Sequence, residues 1–533
     1  FSGVWDVFDG EHNALLALST KSRPEELVAG LEADSIGVAI MKWCRALHRD
    51  DVQLRGMAAS DGRPRDDRMR SEAMTVAATV AIARSGATVT PMLSGPILPT
   101  LLRLSLPNMV AMLAMSLVAI AETVYVGALG TPALAGLALV FPMVMLQSMM
   151  SAGAMGGGVS SAIARALGAG DTDRADALAL HALVIGAVLG LAFTALFVGL
   201  GPAVYRLLGG QGPALAEALA YSNVVFLGAA GIWLMNLLAS VVRGSGNMAV
   251  PSATMFLASA AQVAIGGGLG LGIGPLPRLG MGGIALGQVI ASGAGAAFLL
   301  AYLVSGRGRV RLSLAGASLR WATFADILRV GALACVSPIQ SVLTILVLTR
   351  LVSAFGTEAL AGYGIGARLE FLLIPVGFAI GVACIPLVGM AIGAGDSARA
   401  RRVAWTGGGL ATLLVGSVGV LVSLQPDLWS RLFTSDAAVL DSARSYFSWA
   451  GPVYPLFGAG LCLFFASQGA GKVLGPVLAG TLRLVIVALG GWWLASTGAP
   501  AWTIYALIGF AMAAYGLATI WAVYAVRWGS ARS

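Results

Sequence analysis

The chain has 533 residues, of which 58% are hydrophobic and only 11% are charged. Soluble globular domains carry about 45–50% apolar and about 25% charged residues, so the composition excludes an ordinary soluble protein. The formal net charge of +8 does not indicate nucleic-acid binding, because the lysines and arginines are scattered between apolar stretches and do not form one basic domain.

The first hundred residues differ from the rest of the chain. They include a run of basic and acidic residues from Asp61 to Glu72, and the apolar piece from Ala73 to Ala83 is too short to span a membrane. The sequence does not open with the basic start and apolar core of a secretory signal. We predict that residues 1–100 are an N-terminal extension, poorly ordered or not part of the native protein, with Met74 or Met92 as alternative starts.

Between Arg103 and Arg527 the sequence divides into about twelve apolar stretches of roughly 18–25 residues, each long enough to cross the ~30 Å hydrocarbon core as a helix. Backbone polar groups in lipid are satisfied only in helices or closed barrels. A barrel would show ~10-residue segments of alternating polarity, whereas runs such as Val184–Leu200 are apolar and uncharged throughout. The sequence therefore predicts an all-α polytopic membrane protein with twelve transmembrane helices.

Basic residues are unevenly distributed between the predicted loops. Alternate loops carry Arg165, Arg174, Arg243, Arg307, Arg309, Arg311, Arg320, Arg329, Arg399, Arg401, Arg402 and Lys472, and the intervening loops carry Arg206, Arg278 and Arg431. By the positive-inside rule the first set faces the cytoplasm. We therefore predict a multi-pass protein of the inner (plasma) membrane with both ends of its helical core in the cytoplasm.

Short motifs of the first half of the membrane region recur at a nearly constant offset in the second half. The sequence Gly-Thr-Pro-Ala-Leu-Ala-Gly at Gly130–Gly136 returns with one change at Gly356–Gly362, and Gly-Ala-Gly-Asp at Gly168–Asp171 returns at Gly393–Asp396. Two residues that are separated by the same offset as Gly168 and Gly393 are called counterparts below. Each half then has six spans, and an even number of spans gives both halves the same orientation in the membrane. Parallel repeats of this kind place the substrate site between them near the midplane.

The repeat predicts the division of the chain into domains. We expect an N-terminal six-helix lobe at residues 101–305, a cytoplasmic linker at 306–325 and a C-terminal six-helix lobe at 326–533. Two such lobes are suited to alternating access, in which a site between them opens to one side of the membrane and then to the other.

Residues that could carry enzymatic chemistry are sparse. Cys44, Cys335, Cys384 and Cys462 have neither paired spacing nor nearby histidines, so they predict no disulfide framework and no metal site. His181, the one histidine of the predicted membrane core, has no catalytic partner nearby, and no P-loop pattern is present. The sequence predicts a protein that is not an enzyme and needs no cofactor.

Several runs resemble the multidrug and toxin extrusion (MATE) family of cation-coupled exporters. Leu104–Gly136 is similar to the first span and following loop of that family, with an acid ahead of a V-G-x-L-G-x-x-A-L-A-G pattern. Ala164–Asp171, Val242–Asn247 and Gly362–Pro375 are similar to further family markers, and the resemblance covers about residues 100–530. It implies twelve helices in two lobes, export of organic compounds that are often cationic and amphipathic, and drive by inward flow of H⁺ or Na⁺.

Glu122 and Glu370 lie well inside apolar stretches, where a charged group costs a few kcal/mol or more and marks an ion or substrate path. Glu122 occupies the position at which the resemblance implies an aspartate. Because burial disfavours the ionised form of a carboxyl group, Glu122 can bind a proton and release it on hydration; alternatively, it reaches water near the extracellular end of its helix. Arg368 is two residues away from Glu370 on the same helix, so the two side chains do not face each other. Glu370 therefore either lines a cavity of the C-terminal lobe or pairs with an arginine on another helix.

The second acid of the usual N-terminal pair is absent, since the resemblance aligns Gln262 with an asparagine and Gly266 with an aspartate of many bacterial members. Asn236, Gln262 and Gln340 are candidate substrate-binding residues, with hydrogen bonding between neighbouring helices as the alternative. Fewer carboxylates favour H⁺ over Na⁺ as the coupling ion, and favour neutral or anionic substrates more than in typical members of the family.

We therefore predict a monomer in the lipid bilayer that exports a small organic molecule by antiport with H⁺ or Na⁺. One alternative is a flippase for lipid-linked precursors, which would need a basic central cavity to hold phosphates. Another is an exporter of one dedicated metabolite. The arginines within the predicted spans are Arg350, Arg368, Arg444 and Arg483.

Overall fold

A computed structural model of the chain describes residues 92–313, 318–526 and 528. Residues 1–91, which make up most of the predicted N-terminal extension, lie outside the described residues. The N-lobe consists of α1 (Ile97–Leu129), α2 (Thr131–Gly168), α3 (Thr172–Leu207), α4 (Gly212–Leu227 and Ala229–Gly244), α5 (Ala249–Leu271) and α6 (Gly280–Val304). The C-lobe consists of α7 (Trp321–Ser353), α8 (Thr357–Gly393), α9 (Ser397–Leu424), α10 (Ala437–Gly469), α11 (Leu474–Ser496) and α12 (Trp502–Ala525).

Eleven of these helices are long and apolar enough to cross a membrane singly. The two segments of α4 meet at an angle of 49° and together complete the twelfth span. The predicted all-α fold with twelve transmembrane helices in two six-helix lobes is confirmed for the part of the chain that the structure describes.

The described helices begin and end close to the predicted limits of the lobes. Helix α1 begins at Ile97, slightly ahead of the predicted start at residue 101, and α6 ends at Val304. Helix α7 begins at Trp321, within the predicted linker 306–325, because the residues after Trp321 continue the apolar helical pattern.

The break in the fourth helix of each lobe occurs at the same position of the repeat. Helix α4 is interrupted at Gly228, where an added Cβ would overlap Val289 of α6. Its counterpart Val453 ends a 3₁₀ turn of α10, Gly451–Val453, and prolines at 452 and 455 flank the end of this turn. Because glycine permits close packing and proline removes a backbone donor, different residues interrupt the α-helix at the same position, although of the two helices only α4 is bent there by more than 40°.

The two Gly-Ala-Gly-Asp motifs form the turns that precede α3 and α9. Gly170 and Gly395 adopt φ values of 78° and 81°, the left-handed conformation that ends a preceding helix. The carboxylate of Asp171 then accepts a hydrogen bond of 2.9 Å from the backbone N–H of Arg174, which caps α3. Asp396 caps α9 in the same way, so the repeated motif is explained as a paired stop and start signal.

The lobes pack together at the end of the helices that carries these turns. An added Cβ at Gly168 would overlap the carbonyl oxygen of Met390, and one at Gly393 would overlap the carbonyl oxygen of Arg165. Gly168 and Gly393 are counterparts, and so are Arg165 and Met390. The interface therefore contains the same contact twice, as expected for two lobes related by a pseudo-two-fold axis.

The residues on this axis are also small. An added Cβ at Gly389 of α8 would lie only 2.7 Å from the Cβ of its counterpart, Ala164 of α2. Helices approach this closely in membranes only when small residues line the contact. Glycine and alanine at the crossing of α2 and α8 thus allow the two lobes to meet.

Candidate substrate and ion-coupling sites

Glu122 and Gln262 lie next to each other in the N-lobe. The Nε2 of Gln262 on α5 donates a hydrogen bond of 2.7 Å to Oε1 of Glu122 on α1. Both side chains are half-buried, and Gln262 lies near the middle of α5. The carboxylate of Glu122 therefore contacts α5 within the lobe, seven residues before the end of α1 at Leu129.

The amide of Gln262 can serve both protonation states of Glu122. A carboxylate only accepts hydrogen bonds, whereas a protonated carboxyl group also donates one. Gln262 offers an NH₂ donor for the first state and a carbonyl acceptor for the second. A second carboxylate at this position would instead repel the first.

Gly266 lies where a close contact between α5 and α6 leaves little space for a side chain. A Cβ at this position would lie 3.1 Å from the carbonyl oxygen of Ile284, and a Cβ at Gly287 of α6 would overlap the backbone of Gly266. An aspartate at position 266 would therefore require α5 and α6 to move apart. In this chain, close helix packing replaces the acid that the resemblance implies.

Glu370 lies beside tyrosines in the C-lobe. The hydroxyl of Tyr446 on α10 donates a hydrogen bond to Oε1 of Glu370, and the hydroxyl of Tyr454 lies 3.5 Å from the same oxygen. Arg368, two residues earlier, lies instead over the ring of Phe433, with Cζ 5.1 Å from its centroid. Among the described residues the carboxylate of Glu370 is held by hydroxyl groups and makes no ion pair within 4.0 Å.

Arg483 on α11 is a cation inside the same lobe. Its Cζ lies 5.3 Å from the ring centroid of Phe457, which packs against Tyr515 with centroids 5.9 Å apart. The Nε atom is buried and has no hydrogen-bond partner in the described part of the chain. Glu370 interacts with Arg483 electrostatically but is not close enough for an ion pair. A guanidinium with a buried N–H that lacks a hydrogen-bond partner costs free energy unless water or an anion solvates it.

Asn236 is buried where α4 meets a π-helical turn of α2, Met149–Met155. Its Nδ2 donates a hydrogen bond of 2.8 Å to Oγ of Ser151, and Ser151 in turn donates to the carbonyl oxygen of Gln147. Asn236 therefore links two helices of the N-lobe. The π-turn beside it is a type of irregularity that is frequent at functional sites.

Gln340 connects α7 to α11. Its Nε2 donates a hydrogen bond of 2.7 Å to Oγ1 of Thr481, whereas its Oε1 is buried without a hydrogen-bond partner among the described residues. Gln340 belongs to the C-lobe and shares no hydrogen bond with Glu122, Gln262 or Asn236 of the N-lobe in the described part of the chain. One half of its amide remains available to water or a ligand.

Buried amides that were not singled out from the sequence include Gln147 and Asn108, and also Gln468 of α10. Gln147 of α2 and Asn108 of α1 are 1% and 0% exposed, and neither the oxygen nor the nitrogen of either amide has a partner in the residues that the structure describes. Unpaired buried amides are costly, so each marks a place for water or for a polar ligand. Each is a polar residue within an apolar run, which is the signal that could have identified it.

Ion pairs join the two lobes at the end with the Gly-Ala-Gly-Asp turns. Asp326 of α7 lies 2.8 Å from Nη2 of Arg165 and 2.7 Å from Nη2 of Arg174. Arg399, the counterpart of Arg174, donates instead to the backbone carbonyl of Gly95 at 2.7 Å, just ahead of α1. An arginine near the start of α3 or α9 thus holds the beginning of the first helix of the opposite lobe.

Comparison with known proteins places this arrangement among transporters. The family profile MatE matches residues 107–266 and again residues 332–493. The first positions of the two matches are counterparts in the repeat, so the same profile recognises both lobes.

Relatives with assigned names are similar along most of their length. The "Probable multidrug resistance protein NorM" of Thermotoga maritima is 27% identical over 391 residues, which cover 71% of this chain and 81% of that protein. The "FAD transporter" of Shewanella oneidensis is 26% identical over 412 residues, which cover 75% of this chain and 88% of the relative.

Solved structures share the fold. A MOP superfamily transporter from Pyrococcus furiosus superposes with a TM-score of 0.75 at 23% identity, over 81% of this chain and 96% of that chain. The outward-facing conformation of a multidrug resistance MATE family transporter superposes with a TM-score of 0.73 at 24% identity, over the same shares of the two chains.

Proposed function

The chain belongs to the MatE family, a family of multi-pass membrane transporters, and on this premise we propose that it exports organic small molecules in exchange for H⁺. The pairing of Glu122 with Gln262 supports H⁺ as the coupling ion, because an amide partner can hydrogen-bond both the ionised and the protonated form of the carboxyl group. Na⁺ would be held better by several oxygen ligands of negative charge.

The packing of the lobes supports alternating access. Their ion pairs and small-residue contacts lie at the end with the Gly-Ala-Gly-Asp turns, which by the distribution of basic residues is the cytoplasmic end. With this end closed, a site between the lobes faces outward. A proton taken up there by Glu122 removes its charge, and opening of the other side then allows Glu122 to release the proton into the cytoplasm.

Export from cells that lack their own exporters tests this proposal. Cells expressing the wild type are loaded with the fluorescent cation ethidium, and efflux is followed after a pH gradient is imposed without Na⁺. We expect rapid efflux from wild-type cells, and efflux from cells with Glu122→Gln no faster than from cells without the exporter, because glutamine cannot bind and release the proton.

Glu358→Gln is the matched control, since Glu358 is exposed in the first turn of α8. Its efflux is expected to equal that of the wild type. Efflux by Glu122→Gln at the wild-type rate would show that Glu122 does not take part in coupling. Efflux driven only by a Na⁺ gradient would show that Na⁺, and not H⁺, is the coupling ion.

Export of one dedicated anionic metabolite is a second candidate function, and Arg483 favours it. Its guanidinium lies in a lobe interior without a carboxylate partner among the described residues, which suits the binding of a carboxylate or phosphate. The relative from Shewanella oneidensis is named for transport of FAD, a molecule with two phosphates. Under this candidate an anionic group of the substrate contacts Arg483.

Export of FAD separates the two candidates. If FAD is a substrate, Arg483→Gln is expected to reduce its export about tenfold to a hundredfold, because a hydrogen bond to a charged group contributes ~1.5–3 kcal/mol. Ethidium export should be unchanged. Arg350→Gln serves as the control, since Arg350 is an exposed arginine in the last turn of α7. Export of ethidium but not of FAD by the wild type would reject the second candidate.

A further inference from the structure

A cavity of about 820 Å³ opens between the starts of α1 and α9 and the end of α12. Arg401 and Arg402 are among the residues that line it, together with Ser397 and Thr406. Arg401 lies over the ring of Tyr524, with Cζ 5.3 Å from its centroid. Neither arginine has an ion-pair or hydrogen-bond partner among the residues described, so the cavity presents two positive charges.

An apolar groove of about 510 Å³ continues from this cavity along α12. The two share Trp405 and Tyr524 as lining residues, and Leu517 and Trp521 line the groove further along the helix. Tryptophan and tyrosine near the ends of membrane-spanning helices are typical of the membrane–water interface. The charged cavity thus lies at the level of the lipid head groups, and the apolar groove that continues from it lies at the level of the acyl chains.

The corresponding surface of the N-lobe is covered by the chain itself. Asp176, the counterpart of Arg401, accepts a hydrogen bond of 2.7 Å from the backbone N–H of Arg311 in the linker. The fully buried His181 accepts another of 3.0 Å from the backbone N–H of Arg320. In the C-lobe, arginine stands where the N-lobe has the acid that holds the linker, so this position has opposite charge in the two lobes.

From these observations we propose that the cavity binds an anionic phospholipid of the leaflet on the side of the Gly-Ala-Gly-Asp turns. The lipid phosphate contacts Arg401 and Arg402, and one acyl chain lies in the groove beside Trp405 and Trp521. The proposal is independent of the transported substrate and of the coupling ion.

Titration of the purified full chain with phosphatidylglycerol tests the proposal. The chain is placed in nanodiscs of phosphatidylcholine, and phosphatidylglycerol brominated on its acyl chains is added while tryptophan fluorescence is measured. We expect saturable quenching in the wild type, and an affinity about 30-fold lower in the variant with Arg401→Gln and Arg402→Gln, since each arginine loses its attraction to the anionic lipid. Brominated phosphatidylcholine should produce no saturable quenching. Trp521→Phe should reduce the amplitude of the quenching by brominated phosphatidylglycerol, because Trp521 lines the groove.

The matched control removes two charges from the same end of the molecule. Arg307→Gln with Arg311→Gln changes two exposed arginines of the linker and is expected to leave the affinity unchanged. Equal loss of affinity in both double variants would overturn the proposal in favour of general attraction to a basic surface. Displacement of the lipid by millimolar inorganic phosphate would reassign the site to a soluble anion, and saturable binding seen only after deletion of residues 529–533 would reassign it to the chain's own C-terminal tail.

Discussion

The two lobes share a backbone plan, but their polar interiors are unrelated. The counterpart of Glu122 in the C-lobe is Val347, and the counterpart of Glu370 in the N-lobe is Met145. Helix limits, helix breaks and capping turns repeat, because they are set by the way the helices pack and connect. The difference teaches that the repeat preserves how the helices pack and connect, whereas the buried polar groups are particular to each lobe.

The lobes therefore differ in what their buried groups can bind. In the N-lobe a carboxylate is paired with one amide, which suits a proton. In the C-lobe a carboxylate is held by tyrosine hydroxyls and lies in the same interior as Arg483, an arrangement that offers both signs of charge to a substrate. We infer that the ion and the substrate are handled chiefly by different lobes.

The largest effect on this comparison is expected from the shared interface. Gly168→Leu places a side chain where the backbone of Met390 lies, and Gly393→Leu does the same against Arg165. Overpacking costs ~1–3 kcal/mol or more, which corresponds to about a 5- to 150-fold shift toward the state in which the lobes are apart at this end. Distances between spin labels at positions 173 and 398, two exposed counterparts, should lengthen by the same amount in both variants.

Gly409→Leu provides the control, because a Cβ at Gly409 has no atom within 4 Å. It should leave the label distances unchanged. Lengthening in only one of the two interface variants would contradict the two-fold symmetry of the contact.

The sequence predicted the parts of the molecule that depend on local patterns. Apolar length predicted the twelve spans, and the recurring Gly-Ala-Gly-Asp motif predicted two repeated halves. The motif recurs because a glycine with positive φ followed by an aspartate cap is a local device that ends one helix and starts the next. Glu122 could be singled out since an acid within a span is rare. These features require no knowledge of how distant helices meet.

Contacts between helices distant in sequence were not predictable in the same way. The partner of Glu122 is 140 residues away, and nothing in the spacing of the two residues indicates that Gln262 faces it. The same holds for Arg483, which has no carboxylate partner among the described residues, a fact that becomes visible only when α8, α10 and α11 are placed together. Burial and pairing of polar groups are properties of packing, which a single sequence does not specify.

A smaller effect is expected from the ion pairs that join the lobes. Asp326→Asn removes both pairs with Arg165 and Arg174, while the backbone contact of Arg399 with Gly95 on the other side of the axis remains. Partly exposed ion pairs contribute about 1 kcal/mol or less each, so the loss of two should shift the equilibrium toward separated lobes by no more than about 30-fold. The same pair of spin labels measures it.

Asp427→Asn is the control for this variant, because Asp427 also binds two arginines, Arg431 and Arg444, but does so entirely within the C-lobe. Loss of charge alone should therefore leave the label distances as they are in the wild type. A shift of equal size in both variants would mean that the aspartates act through the stability of the C-lobe. A shift in Asp326→Asn alone would identify the ion pairs of Asp326 as the part of the interface that the transport cycle must break and remake. The difference between this variant and the wild type should become smaller in high salt, because screening then weakens the ion pairs of the wild type.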